Sequence, residues 1–191
     1  ALLCADFGRC GRTEIGGLGE FSRVQAASRH RIGDMDCRIA ALCDTMRCVL
    51  SGLDAVRSST TDNALIFGAG PMGLLLAMAL SAHNVPDIVF TDIDDARLEL
   101  AASFGFEIVA SGSSELATLN HGFDLVVDAT GVPAVAGNLA NYMANGARGL
   151  FFGVCPSDAR IEFSLFEVLR RQLTFAGSHS LNHNIPQALE T

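Results

Sequence analysis

The chain has 191 residues, of which 49% are hydrophobic and 18% are charged, and its formal net charge is −8. This composition predicts a globular protein long enough to bury a core, with one domain and part of a second. The chain contains no lysine and its arginines are scattered, so the charge pattern excludes an electrostatic nucleic-acid binder. No signal-peptide pattern is evident, and we expect a cytoplasmic protein.

The first part of the chain is glycine-rich and predicts little regular structure. Residues 21–25 alternate between apolar and polar, which predicts a strand. Over residues 35–53 the apolar side chains recur at helical spacing, which predicts a helix with a buried face. Residues 57–63 are polar, so we place a domain boundary there, with residues 1–56 in one domain and residues 57–191 in the next. The six cysteines match neither a disulfide framework nor a pair of C-x-x-C zinc knuckles.

The stretch from residue 62 to residue 92 carries the strongest signal in the chain. It predicts a buried strand over 64–67, a glycine turn over 68–73, an apolar helix over 74–82 and a second strand over 87–92. The turn has G-x-G-x-x-G spacing, and the second strand closes on Asp92. This order of elements is typical of a dinucleotide-binding unit, in which the helix N-terminus points at the phosphates.

Each residue type in this unit has a physical reason. Gly68 allows a tight turn, Gly70 lets the backbone approach a pyrophosphate, and Gly73 lets helix and strand pack closely. A carboxylate at Asp92 can accept hydrogen bonds from both ribose hydroxyls of NAD and would repel a 2′-phosphate.

Two other interpretations of this stretch are weaker. The run between Asp62 and Asp87 has no charged residue and approaches the length of a membrane span, but three glycines and a proline interrupt its centre. A Rossmann-like methyltransferase also places an acid after a glycine turn, although the full six-residue spacing favours a dinucleotide. We therefore expect no membrane segment and a dinucleotide cofactor.

After Asp92 the strand and helix patterns continue to alternate. We predict helices over 94–104, 133–144 and 163–169 and from about residue 186, and strands over 107–110, 123–129, 148–154 and 173–176, with a polar connection over 111–120. This alternation predicts an α/β fold with a doubly wound parallel sheet. Ligands bind beyond the carboxyl ends of such strands, so the glycine turn, Asp92 and the ends of the later strands should meet in one crevice.

In order and spacing, the sequence resembles the zinc-dependent medium-chain dehydrogenase/reductase superfamily, in particular its sorbitol, polyol and threonine dehydrogenases. The matching segments are residues 16–21, 49–54, 68–73, Asp92, 97–98, 128–131, 152–154 and 173–178. The resemblance implies a Rossmann domain for NAD next to part of a β-rich, GroES-like catalytic domain. It also implies a reaction in which zinc polarises an alcohol while hydride moves to NAD.

The resemblance implies specific cofactor contacts in this chain. The implied residues are Gly68, Gly70, Pro71, Met72, Gly73, Asp92, Arg97, Ala129, Thr130, Phe152, Gly153 and Val154. Asp92 and Arg97 would hold the adenosine ribose, with Ala129 and Thr130 on the adenine side. Phe152 and Val154 would border the nicotinamide through their backbone.

The zinc ligands are harder to assign by resemblance. The family's catalytic cysteine and His-Glu pair would lie before the first residue of this chain, and only Cys4 matches a structural-zinc cysteine. Asp44 stands where the family has a glutamate that can reach the metal, so it is our candidate metal ligand. Ser51 replaces a frequent histidine, and His179 and His183 follow near the substrate side.

The chain begins without methionine and stops inside a predicted helix, so we expect a piece of a longer protein, inactive alone. The predicted function is oxidation of a small-molecule alcohol or polyol with NAD in a homodimer or homotetramer. Two alternatives remain open: a catalytically degenerate NAD-binding module, and a zinc-free relative such as a quinone reductase.

Overall fold

The computed structural model describes residues 13, 16–24, 26, 29–57, 63–179 and 184–190. Within these residues, six parallel strands form one sheet with helices on both faces. The strands are β1 Ala64–Phe67, β2 Ile88–Asp92, β3 Glu107–Ala110, β4 Phe123–Asp128, β5 Met143–Phe151 and β6 Thr174–Gly177. The helices are α1 Cys37–Val56, α2 Pro71–Ala82, α3 Asp95–Ser103, α4 Ser114–Thr118, α5 Pro133–Tyr142, α6 Leu165–Arg170 and α7 Ile185–Glu190.

The strand order is β3-β2-β1-β4-β5-β6, and every pairing is parallel. The order reverses between β1 and β4, because the chain first builds outward through β2 and β3 and then returns to the other side of β1. A crevice opens at such a reversal, beyond the carboxyl ends of the strands. The predicted doubly wound parallel sheet is therefore confirmed.

The core lies on both faces of the sheet because alternate strand residues point to opposite sides. In β1, Ile66 joins the cluster that includes α1 and α2, whereas Leu65 joins the cluster that includes α4 and α5. All four β1 residues are buried, which explains why its sequence is a continuous apolar run.

Helix α1 packs on the sheet together with α2. Its buried residues Val49, Leu53 and Val56 belong to the same core cluster as Ile66, and the ring of Phe152 lies against Gly52. The helix predicted over 35–53 is thus present and continues by one more turn. The domain boundary near residue 57 stays a prediction, since residues 58–62 lie outside the described part.

Several predicted boundaries differ from the structure. β5 begins at Met143 and not at residue 148, because its first residues pair with Phe123 across an irregular register that includes Asn145 and Gly146. It ends at Phe151 because the next two amides turn back to the carbonyl of Asp128. Helix α6 begins two residues later than predicted, after Ser164.

Two further predictions assigned the wrong type of secondary structure. The polar connection over 111–120 contains the short helix α4, which Ser113 caps by accepting a hydrogen bond from the Leu116 amide. Residues 21–24 form no strand, and Phe21 is exposed. A strand needs a hydrogen-bonded partner, and the described residues offer none to this segment. Gln25 lies outside the described residues. The GroES-like part of the chain stays a prediction.

The described helices include none that is both long enough and apolar enough to cross a membrane.

Candidate functional site

The crevice is centred on the turn between β1 and α2, where the three glycines have different surroundings. Gly68 has φ +104°, a conformation that favours glycine, and it starts the turn. Gly70 has open space where a Cβ would stand. At Gly73 a Cβ would meet the Gly68 carbonyl oxygen well inside 3.0 Å, a distance that real Cβ atoms essentially never show. Gly73 is therefore required for packing, and Gly70 leaves the backbone open to a ligand.

The N-terminus of α2 faces this opening. Gly70 is the N-cap residue and has no side chain to bond the first amides, and Pro71 occupies the first helical position, where its missing amide costs nothing. The amides of Met72 and Gly73 come next in the first turn. An uncapped helix N-terminus of this kind favours an anion such as a pyrophosphate.

Asp92 ends β2 and is only 8% exposed. Its Oδ2 accepts a hydrogen bond from the Ala69 amide at 2.8 Å, and its Oδ1 accepts one from the Asp94 amide at 3.0 Å. The Arg97 guanidinium lies 3.8 Å from Oδ2 and 3.6 Å from a carboxylate oxygen of Asp94. Asp92 thus fixes the glycine turn, while each oxygen keeps a lone pair that could accept a ribose hydroxyl.

On the other side of the turn, Asp128 ends β4 and is fully buried. Its Oδ1 accepts hydrogen bonds from the Thr130 amide, the Thr130 hydroxyl and the Gly131 amide at 2.8, 2.6 and 3.1 Å. The Thr130 hydroxyl in turn accepts one from the Val132 amide. The Thr130 donors are therefore already used, although the residue itself is exposed.

The strand order also bears on Ala129 and Thr130. Both follow β4, which lies on the opposite side of β1 from Asp92. Asp92 is the candidate for the adenosine ribose, and the placement of Ala129 and Thr130 on the adenine side stays a prediction.

The loop after β5 contains the remaining predicted contacts. Phe152 directs its ring into the sheet core against α1, so that only its backbone faces the crevice. Gly153 lies against the backbone of Gly131, and Val154 is 94% exposed. These positions agree with contacts through backbone, and the contacts themselves stay predictions.

The candidate metal ligand Asp44 lies on α1, where its backbone carbonyl accepts a hydrogen bond from the Cys48 thiol. Its exposed carboxylate forms an ion pair with Arg47 one turn on. Across the described part of the chain, no group of three His, Cys, Asp or Glu side chains could hold a metal ion. Ser51 is half-buried on the same helix. Cys4 and His183 lie outside the described residues.

Sequence reasoning used Asp128 only as part of a motif and missed its contacts. The signal that could have found them is an aspartate at a strand end followed two residues later by threonine and then glycine. Such side chains commonly bond the amides two and three positions ahead.

Sheet order, glycine turn and strand-end acid together define a Rossmann domain. A family model described as zinc-binding dehydrogenase matches residues 71–191, more than half of the chain. The chain belongs to this family.

Individual proteins are also similar. D-altritol 5-dehydrogenase of Agrobacterium fabrum (strain C58 / ATCC 33970) is 44% identical over 191 residues, which cover 98% of this chain and 57% of the relative. The chain thus spans a little over half of the length of this curated relative.

Two solved structures show the same fold at 21% identity. One is described as a short chain alcohol dehydrogenase of E. coli CFT073 in complex with NADH; its TM-score is 0.90, over 99% of this chain and 58% of that one. The other is assigned as a zinc-binding dehydrogenase of Sinorhizobium meliloti 1021 bound to NADP, with a TM-score of 0.93 over the same shares.

Proposed function

We propose that this chain is the nucleotide-binding part of an NAD-dependent dehydrogenase that oxidises a polyol or a related secondary alcohol. The observation that carries the proposal is the open, uncapped N-terminus of α2 beside a buried acid, Asp92, that is bonded to the same turn. An anion site next to a ribose acceptor suits one half of a dinucleotide.

The residues of the crevice fit NAD. Gly70 leaves room where a side chain would block the pyrophosphate, and the first amides of α2 would bind it. Asp92 would accept the adenosine ribose hydroxyls, with Arg97 beside it, and the backbone of residues 152–154 would border the nicotinamide. NAD, when bound, would supply the hydride acceptor, and this chain would bind and orient it.

The choice of NAD over NADP rests on Asp92. The two fold neighbours bind NADH and NADP respectively, so the fold permits either cofactor. A buried carboxylate at the ribose position would repel a 2′-phosphate, because both groups are negative. Among the described residues, Arg97 is the cation paired with Asp92 that could oppose this effect, but it already lies between Asp92 and Asp94.

The substrate class is proposed from the Agrobacterium relative, which is named for D-altritol. The family name implies zinc, but the described residues do not fit a zinc ion: Asp44 is paired with Arg47, and no group of three candidate ligands forms around it. We therefore assign no step to a metal within the described part. Asp44 as a ligand stays a prediction that would need partners from elsewhere.

The cofactor proposal is tested by titrating the chain with NADH and NADPH and following reduced-nicotinamide fluorescence. The chain has no tryptophan, so its own emission is weak. We expect saturable NADH binding and at least about tenfold weaker NADPH binding, equal to about 1.4 kcal/mol. In Asp92→Asn, which keeps an acceptor oxygen but loses the charge, the preference should shrink by about tenfold.

The matched control is Asp95→Asn, which removes an exposed acid from the first turn of α3. It should keep the preference of the unmodified chain. A folded chain that binds neither nucleotide would refute the cofactor proposal, and equal affinity for both would refute the preference for NAD.

A separate assay distinguishes catalysis from binding alone. A protein that joins this chain to the remaining length of its relatives should form NADH from D-altritol or another hexitol or pentitol. NADH binding without turnover on any polyol would favour the catalytically degenerate module.

We also propose that a second copy docks beside β6. Among the described residues this strand has one neighbour in the sheet and no partner on its other edge. Helix α6 next to it exposes Leu165, Phe166 and Leu169. A twofold axis would pair the two β6 strands and bury both apolar faces. Light scattering should give twice the 20.1 kDa chain mass for the unmodified chain and the chain mass for a Phe166→Glu, Leu169→Glu variant.

Leu100→Glu, on the exposed face of α3 at the other side of the sheet, is the control and should stay dimeric. A monomeric unmodified chain would refute this interface. A tetramer would need a further interface. The domain boundary near residue 57 remains a proposal that limited proteolysis would test. A cytoplasmic location remains a proposal that cell fractionation would test.

A further inference from the structure

Asp128 is a buried acid at the centre of the crevice that the proposed cofactor contacts do not use. Its backbone carbonyl accepts hydrogen bonds from the amides of Phe152 and Gly153 at 3.0 and 2.8 Å. Its side-chain Oδ1 accepts those from Thr130 and Gly131 described above. One residue therefore holds both the loop after β4 and the loop after β5.

These two loops are also in direct contact. Gly131 has φ +70°, and a Cβ on it would lie 2.5 Å from the carbonyl oxygen of Val154. A Cβ on Gly153 would meet the Gly131 amide even more closely. Since the two backbones leave no space between them, a change in the first loop must displace the second.

The loop after β4 uses all of its amides internally. Ala129 donates to the Phe67 carbonyl, Thr130 and Gly131 donate to Asp128, and Val132 donates to the Thr130 hydroxyl. The loop thus has no free amide to bind a ligand, and its contribution to binding is its shape. That shape depends on Asp128 as the shared acceptor.

The strand order identifies the half of the cofactor that this shape would affect. A doubly wound sheet binds one mononucleotide on each side of the point where strand order reverses. Asp92 at the end of β2 is the candidate for the adenosine half, so the loops after β4 and β5 would take the nicotinamide half.

We propose that Asp128 is a positioning residue for the nicotinamide half of the cofactor. The inference rests on the proposed function, because it assumes that the chain binds NAD. Asp128 acts through the loops that it holds: Oδ1 fixes Thr130 and Gly131, and Gly131 in turn fixes Val154 against the crevice. Oδ2 has no hydrogen-bond partner among the described residues, so the contact with the loop runs through one oxygen.

Because only one oxygen of Asp128 is hydrogen-bonded within the described residues, asparagine is a suitable conservative replacement for it. Asp128→Asn keeps an oxygen that can accept the same amides, whereas Asp128→Ala removes the acceptor and leaves buried donors unpaired. Thr130→Val is a milder change at an exposed residue, which removes one donor to Asp128 and the acceptor for the Val132 amide. Asp124→Asn is the matched control, since it neutralises an acid at the opposite end of β4.

The experiment compares two ligands by calorimetry. NADH carries both halves, and ADP carries only the adenosine half and the phosphates. We expect Asp128→Ala to weaken NADH binding about tenfold while ADP binding changes less than about twofold. Thr130→Val should weaken NADH binding about threefold with ADP unchanged. Asp128→Asn and Asp124→Asn should bind both ligands as the unmodified chain does.

The outcomes separate the two proposals. An equal loss of NADH and ADP binding would mean that Asp128 only stabilises the fold, and unchanged NADH binding in Asp128→Ala and Thr130→Val would also overturn the inference. An Asp128→Asn variant as weak as Asp128→Ala would show that the acceptor oxygen is not what matters. If Asp128→Ala does not fold, Thr130→Val decides by the same comparison of NADH with ADP. An unmodified chain that binds neither ligand would refute the proposed function itself.

Discussion

Replacing Gly73 by alanine tests how the first turn of α2 packs on β1. The new Cβ would approach the Gly68 carbonyl oxygen to less than 3.0 Å, and the ring of Phe90 lies 3.3 Å from the same point. The oxygen is backbone, so the helix must move away from the turn. Overpacking of this kind costs about 1–3 kcal/mol, and we expect about 3 kcal/mol because neither neighbour is a flexible side-chain end. Urea denaturation should show a lower midpoint with an unchanged slope.

Gly70→Ala is the matched control, three residues earlier in the same turn. Its Cβ would meet nothing within 4 Å, and φ is −74°, which alanine adopts freely. The folding cost should be limited to the poorer cap, about 0.5–1 kcal/mol. NADH affinity, however, should fall about tenfold or more, since the Cβ would occupy space that the pyrophosphate needs.

The two variants are therefore expected to lose different properties, one stability and the other NADH binding. Gly73→Ala should lose stability, and Gly70→Ala should lose NADH binding at nearly full stability. A Gly73→Ala chain as stable as the unmodified one would refute the packing argument. A Gly70→Ala chain that binds NADH normally would refute the placement of the pyrophosphate.

Three further predictions concern the stability of the fold. Gly153→Ala should lower stability by about 2–3 kcal/mol and weaken NADH binding in parallel, because its Cβ would collide with the Gly131 backbone; a neutral result in denaturation would contradict the interlocked loops. Arg171→Lys should destabilise the chain by about 2 kcal/mol in urea, because the single ammonium nitrogen cannot replace two separate guanidinium nitrogens, one bonded to the Ala140 carbonyl and one to the Met143 carbonyl; equal stability would show that charge alone suffices. Leu150→Ala should cost about 3–4 kcal/mol as a cavity in the fully buried centre of β5, and a cost below about 1 kcal/mol would mean that the site collapses.

The sequence was sufficient to predict the fold because the apolar pattern of the strand and the glycine spacing of the turn after it indicated the same arrangement. The strand over 64–67 is a continuous apolar run, which is what burial on both faces requires, and all four residues are buried. The spacing of Gly68, Gly70 and Gly73 predicted a turn whose three positions have different steric requirements, and the structure has those requirements.

The elements that sequence reasoning misplaced are those held by non-local contacts. The first half of β5 contains Asn145 and Gly146, which are poor strand formers, and it pairs with β4 only through an irregular register. Helix α4 has five residues and one buried side chain, Leu116, too little periodicity to detect in a polar segment. In β5 tertiary pairing overrides local propensity, whereas α4 is too short to give a periodic signal.

One feature of the candidate site was not predicted from the sequence: its acids also hold the loops around the crevice. Asp92 was selected as a ligand for ribose, yet it also accepts the Ala69 amide and so holds the turn that would bind the pyrophosphate. Asp128 was not selected, yet it does the equivalent work for the loops after β4 and β5. Parallel strands end with unpaired amides in the following loop, and a carboxylate at the strand end satisfies them.

An alanine substitution at Asp92 or Asp128 therefore cannot separate ligand recognition from loop structure, because it removes both together. The asparagine variants are more selective: Asp128→Asn keeps the one oxygen that accepts the loop amides, whereas Asp92→Asn removes the charge and keeps only one of two acceptor oxygens. If charge is what Asp92 contributes to cofactor choice, its asparagine variant must lose the discrimination against NADPH while it still binds NADH. If acceptor geometry is what Asp128 contributes, its asparagine variant must bind NADH normally. The same substitution at two acids, 36 positions apart in sequence and on opposite sides of β1, should thus give opposite results.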